Sequence, residues 1–104
     1  MSNETTDNNE SDTKYWNRAD EVINLVNSQC DNEDNDKVGS SMLYATARFN
    51  AFIVASMTNN VKELKEDRDE AIKHFTDQFN KKFIENIDSY IEHYDEYIQK
   101  FRKF

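Results

Sequence analysis

The densest set of oxygen ligands in this 104-residue chain is CDNEDNDKVGSSM, residues 30–42, where Asp31, Glu33, Asp34 and Asp36 alternate with Asn32 and Asn35 ahead of Gly39. Those are the residue types of a calcium loop, which needs oxygens at its first, third and fifth positions, glycine at the sixth and a bidentate glutamate at the twelfth. No register fits. Counting from Asp31 puts Asp36 in the glycine position and Met42 at the end; counting from Asn32 puts Lys37 and Leu43 there. Counting from Asp34 makes Val38 a ligand position and ends on Ala45. The stretch is expected to be a solvated connector of about nine residues, with Ser40 or Ser41 capping the next helix.

The other candidates for chemistry are two histidines and one cysteine. His74 has Glu70 four residues before it and Asp77 three after, and with Glu66 this could edge a metal site. Helical pairing of Glu70 with Lys73 and of Asp77 with Lys81 accounts for the same charges as a solvated face. A di-iron bundle would need glutamate three residues before histidine on two helices; Ala71 and Tyr90 stand there instead. His93, within YIEHYDEY, sits at the edge of an aromatic stripe, where its titration near neutrality would bear on an interface. Cys30 has no basic neighbour in sequence to lower its pKa and reads as a small apolar filler. No nucleophile spacing and no glycine-rich phosphate loop is present, so no catalytic residue, metal or cofactor is assigned.

The elements that must position these residues follow from composition. There is no proline and a single glycine, too few turn residues for a β-rich domain. A net charge of −8 repels duplex DNA and anionic membranes. A lone cysteine fits a reducing compartment, so the expected location is cytoplasmic. The first thirteen residues, MSNETTDNNESDT, have no apolar residue after Met1 and no basic start or apolar run of a signal peptide. They are expected to form a disordered acidic tail on a single helical domain over residues 14–104.

Periodicity predicts an all-α chain of three helices, at about 14–30, 41–58 and 61–104. The first carries Tyr15/Trp16, Ala19, Val22/Ile23, Val26 and Cys30 at steps of three and four. The second, SMLYATARFNAFIVASMT, is too short for a membrane span and holds Arg48 near its middle; it reads as a central helix with neighbours on several sides. The third opens on Asn60 and Glu63, a capping box. It then places Ile72, Phe75, Phe79, Phe83, Ile87, Tyr90, Tyr94, Tyr97, Phe101 and Phe104 along one stripe, with Ile84, Ile91 and Ile98 beside it. Glu85, Asp88, Glu92 and Glu96 fall on the opposite, wet face.

At 1.5 Å per residue the third helix would reach about 65 Å and the second about 27 Å. An antiparallel hairpin of the two, within an elongated bundle, would leave the aromatic half after Phe79 uncovered. A bend near Asn80, the first helix, or a second chain could cover it. A homodimer or dimer of dimers is the expected solution, through Phe83, Ile87, Tyr90, Ile91, Tyr94, Tyr97, Ile98 and Phe101.

YWNRADEVINLVNSQ and LYATARFNAFIVAS resemble a proteobacterial domain-of-unknown-function family that pairs an aromatic-Trp-x-Arg-Ala-Asp helix with an Ala-x-Arg-Phe-Asn-Ala helix. Tyr15, Trp16, Arg18, Ala19 and Asp20 match the first motif; Ala45 or Ala47, Arg48, Phe49, Asn50 and Ala51 match the second. The resemblance runs over roughly residues 14–90 and implies a small soluble bacterial helical protein, without a catalytic assignment. It draws attention to Arg18, Asp20, Arg48 and Asn50, with Asp20 and Arg48 as a structural ion pair. The functional expectation is a self-associating scaffold or adaptor without catalysis. The alternative is a ligand-binding or enzymatic bundle using Arg48, Asn50 and His74.

Overall fold

The computed structural model describes the backbone of residues 2–102 and the side chains of residues 10–98. All its regular elements are helices: α1 (Ser2–Gln29), α2 (Asn35–Ser56), α3 (Val61–Glu92) and α4 (Tyr94–Arg102). The chain is all-α. It divides into two units, Met1–Phe49 and Asn50–Phe104, with the division falling inside α2.

In the first unit, α1 begins at Ser2, ahead of the Lys14 at which apolar periodicity sets in. No proline or glycine interrupts this stretch, and a helix once nucleated extends at little cost. It ends where the Cys30 N–H donates to the Asn27 carbonyl at 3.0 Å, while the Ser28 hydroxyl donates to Leu25 O at 2.6 Å. Residues 30–34 alone connect α1 to α2, fewer than the nine expected, and Ser40 and Ser41 lie inside the helix rather than at its cap. Asp34 starts α2 instead: its carbonyl accepts the N–H groups of Lys37 at 3.1 Å and Val38 at 3.2 Å. Glu33 pairs with Lys37 at 3.3 Å, and Asp36 places a negative charge on the positive end of the helix dipole. Asn, Asp, Ser and Gly are weak helix formers, which is why this turn of α2 reads as loop when taken residue by residue.

Val38 is the buried apolar side chain of this unit, at 6% exposure. Val26, Cys30 and Met42, within a few turns of the connector, are half-buried, and Cys30 is a free thiol.

In the second unit, α2 closes with bonds of the tighter three-residue kind, Met57 N–H to Val54 O at 3.2 Å and Thr58 N–H to Ala55 O at 3.1 Å. Asn60 then caps α3 from an extended backbone (φ −160°, ψ 170°), its side-chain oxygen accepting the Glu63 N–H at 2.9 Å. Glu63 reaches back one residue further than in the standard box, to the Asn59 N–H at 3.1 Å. Ile53, Val54, Ala55, Thr58, Glu63 and Leu64 around this turn are half-buried.

α3 runs without a break through Asn80. The helix ends instead at His93 (φ −114°, ψ 28°), whose N–H donates to Ser89 O and whose carbonyl accepts the Tyr97 N–H, both at 3.0 Å. The long third helix is thus two elements, α3 and α4. Neither proline nor glycine lies at the break.

Candidate interaction surface

A helix 32 residues long normally hides one face, yet no side chain of α3 is buried. Leu64, Ala71 and Phe75 are half-buried, but from Phe79 onward the apolar residues recur every three or four positions and stay in solvent: Phe79 and Phe83 are each 54% exposed, Ile87 45%, Tyr90 48% and Ile91 71%. Beyond the break, Tyr94 is exposed and Tyr97 is 38% exposed, while Ile98 is half-buried. Phe101, the last residue expected in this surface, lies outside the described side chains.

The rings are ordered against one another. Phe79 stacks on Phe83 with centroids 5.6 Å apart and planes 21° from parallel. Tyr90 meets Tyr97 edge-on at 4.9 Å, so the stripe continues across the break at His93. The His93 ring lies 5.3 Å from Tyr97, and its nitrogens are 3.4 Å from Glu96 and 3.9 Å from Glu92. Aromatic packing of this kind aligns an apolar surface but does not remove it from water.

Several polar side chains of α3 pair within the helix. Lys73 bonds Asp77 at 2.7 Å, and that hydrogen bond together with the carboxylate's charge raises the lysine pKa above its ordinary value. Asp77 therefore pairs with Lys73, not Lys81. Lys82 bonds Gln78 at 3.2 Å, and Asn86 donates to Lys82 O at 2.8 Å. His74 is exposed with its ring edge against Phe75 at 5.1 Å, so its nearest ring partner is apolar. Among the described residues no three of His, Cys, Asp and Glu gather as metal ligands.

Elsewhere, Arg48 and Asp20 are both exposed and form no ion pair with each other, while Asn50 is half-buried. Residues 33–36 line an open acidic hollow of about 430 Å³ at the start of α2. All four residues are exposed, and Glu33 is paired with Lys37. Tyr15 and Trp16 meet edge-to-face at 4.9 Å on α1. Three apolar residues near the α2–α3 turn were not singled out from sequence: Phe52 (64% exposed), Met57 (80%) and Val61 (67%). The signal for Phe52 was the all-round apolar character of AFIVA; Met57 and Val61 carried none beyond their type. Among the described residues no helix is long and apolar enough to cross a membrane.

Residues 15–91 match the family described as "Protein of unknown function (DUF3144)". The chain is also similar to a protein from Shewanella sp solved by NMR, at 26% identity and a TM-score of 0.70, over 83% of this chain and 92% of that one. No curated protein matches.

Proposed function

The chain belongs to the family described as "Protein of unknown function (DUF3144)", and from that premise we propose that it is a small self-associating interaction domain, a scaffold or adaptor that works without catalysis. The observation that carries this reading is the ordered apolar stripe of α3 and α4, left 38% to 71% exposed from Phe79 to Tyr97. Fully burying one such side chain stabilises by about 1.5–3 kcal/mol, so covering its exposed half is worth about 1 kcal/mol. Eight of them on each of two chains give on the order of 16 kcal/mol, enough to offset an association cost of about 4–15 kcal/mol. A symmetric pair covers both stripes with one contact, which favours a homodimer or a dimer of dimers.

In this reading residues 14–104 act as one domain in the assembled form, with residues 1–13 as an acidic extension outside it. The lone half-buried cysteine and the acidic charge support a role in a bacterial cytoplasm, away from nucleic acid and membranes. Light scattering behind a sizing column, over a wide concentration range, tests the proposal. A stable dimer or tetramer that falls to monomer on deletion of residues 90–104 is the expected result. A parent that stays monomeric throughout overturns it.

A further inference from the structure

The stripe on α3 and α4 is a spatial palindrome. Outward from the stacked pair Phe79–Phe83, the next positions on the same face are Phe75 and Ile87, each four residues away. Ile72 and Tyr90 follow at three, Arg68 and Tyr94 at four, Lys65 and Tyr97 at three. Every pair is centred on residue 81. A spacing that reads the same in both directions is what a helix needs to meet a second copy of itself running the other way, because each position then finds its counterpart at the same height.

The residue types agree with the spacing. The stripe is aliphatic or phenyl near its centre, tyrosine toward α4, and cationic toward the start of α3, where Lys65 and Arg68 occupy positions that should be apolar. In a parallel pair those cations would face the other copy's cations, a like-charge contact that costs free energy. In an antiparallel pair centred on residue 81, Lys65 meets Tyr97 and Arg68 meets Tyr94, each a cation over an aromatic face. Arg68 keeps its 2.8 Å bond to Asp69 in this arrangement, since a guanidinium stacks with its face while its edge donates. The Tyr90–Tyr97 contact holds the tyrosine end of the stripe together across the break at His93.

We propose that two copies of this chain associate through an antiparallel α3–α4 pairing whose two-fold axis lies level with Lys81, with Lys65 and Arg68 of each copy seated on Tyr97 and Tyr94 of the other. The proposal rests on the self-association argued above and adds its direction and register. Phe79 of one copy meets Phe83 of the other, so four phenyl rings form the centre. The acidic face at Glu85, Asp88 and Glu92 stays in solvent on both copies.

Spin labels placed singly at Glu70→Cys, Lys81→Cys and Asp88→Cys, all exposed positions, in a Cys30→Ser chain test the register by electron-spin distance measurement. With a rise of 1.5 Å per residue on each chain, the axial separation of like labels is near zero at residue 81, about 21 Å at residue 88 and about 33 Å at residue 70. Distances increasing in that order are the expected result. Equal distances at all three sites mean parallel pairing, and a minimum displaced toward residue 88 means another register; either overturns the proposal and leaves self-association standing. A labelled chain and parent that are both monomeric overturn self-association itself. As a second measurement, Lys65→Ala combined with Arg68→Ala should raise the dimer dissociation constant about tenfold. An unchanged constant removes the cation–tyrosine lock.

Discussion

Asn60 is one side chain with a measurable task, holding the Glu63 amide at 2.9 Å at the entry to α3. Asn60→Ala should lower stability by about 1 kcal/mol in chemical denaturation, with Asn60→Asp close to the parent. Both halves of this signal were legible, because a cap and its partner three residues on are written in adjacent positions. The rearward contact of Glu63 with Asn59 was not, since it depends on how the turn delivers the chain. Lys73 makes a second residue-scale case. Its folded pKa is raised, so the contribution of its bond to Asp77 is fully present below the unfolded lysine pKa and is lost as pH rises through the folded value. Both partners are exposed, so stability of the parent and of Lys73→Ala should differ little and stay parallel from about pH 6 to about pH 9. A difference that opens within that range would assign Lys73 a role beyond this surface pair.

At the scale of elements, α2 departs most from its sequence reading. Gly39 lies within the helix without positive φ, and a Cβ added there meets nothing within 4 Å. Gly39→Ala should therefore stabilise the protein by about 0.5–1 kcal/mol, read as a higher denaturation midpoint. A destabilised variant would return this turn to the loop that composition predicts. The long C-terminal segment shows the converse. No proline or glycine marks a stop at His93, and the break between α3 and α4 is a property of the folded backbone. The polar candidates were legible as types and not as partners: Asp20 and Arg48, which the family resemblance pointed to as an ion pair, are both exposed and form none with each other.

For the molecule as a whole, the unburied stripe of α3 ties stability to association. Ile87, 45% exposed and near the middle of the stripe, faces the partner in the proposed pairing. Ile87→Asp should convert the assembly to monomer in light scattering and abolish the rise of Tm with protein concentration that a dimer shows. Glu85→Lys, on the opposite face, should leave the mass unchanged. A monomeric Glu85→Lys would move the interface to the acidic side.

Helical class, the cap of α3, the failure of the calcium registers and the apolar stripe were determined by sequence alone, because each rests on residues within a few positions of one another and on a fixed 3.6-residue repeat. The limits of α2, the break at His93, the choice of Lys73 as partner of Asp77 and the exposure of the α3 stripe from Phe79 onward were decided only in the folded structure. Helix ends are settled by competition between local hydrogen bonds and propagation, and burial by which surfaces come together in space. A periodic pattern states that a face should be covered; the folded chain shows that the face of α3 remains open from Phe79 onward.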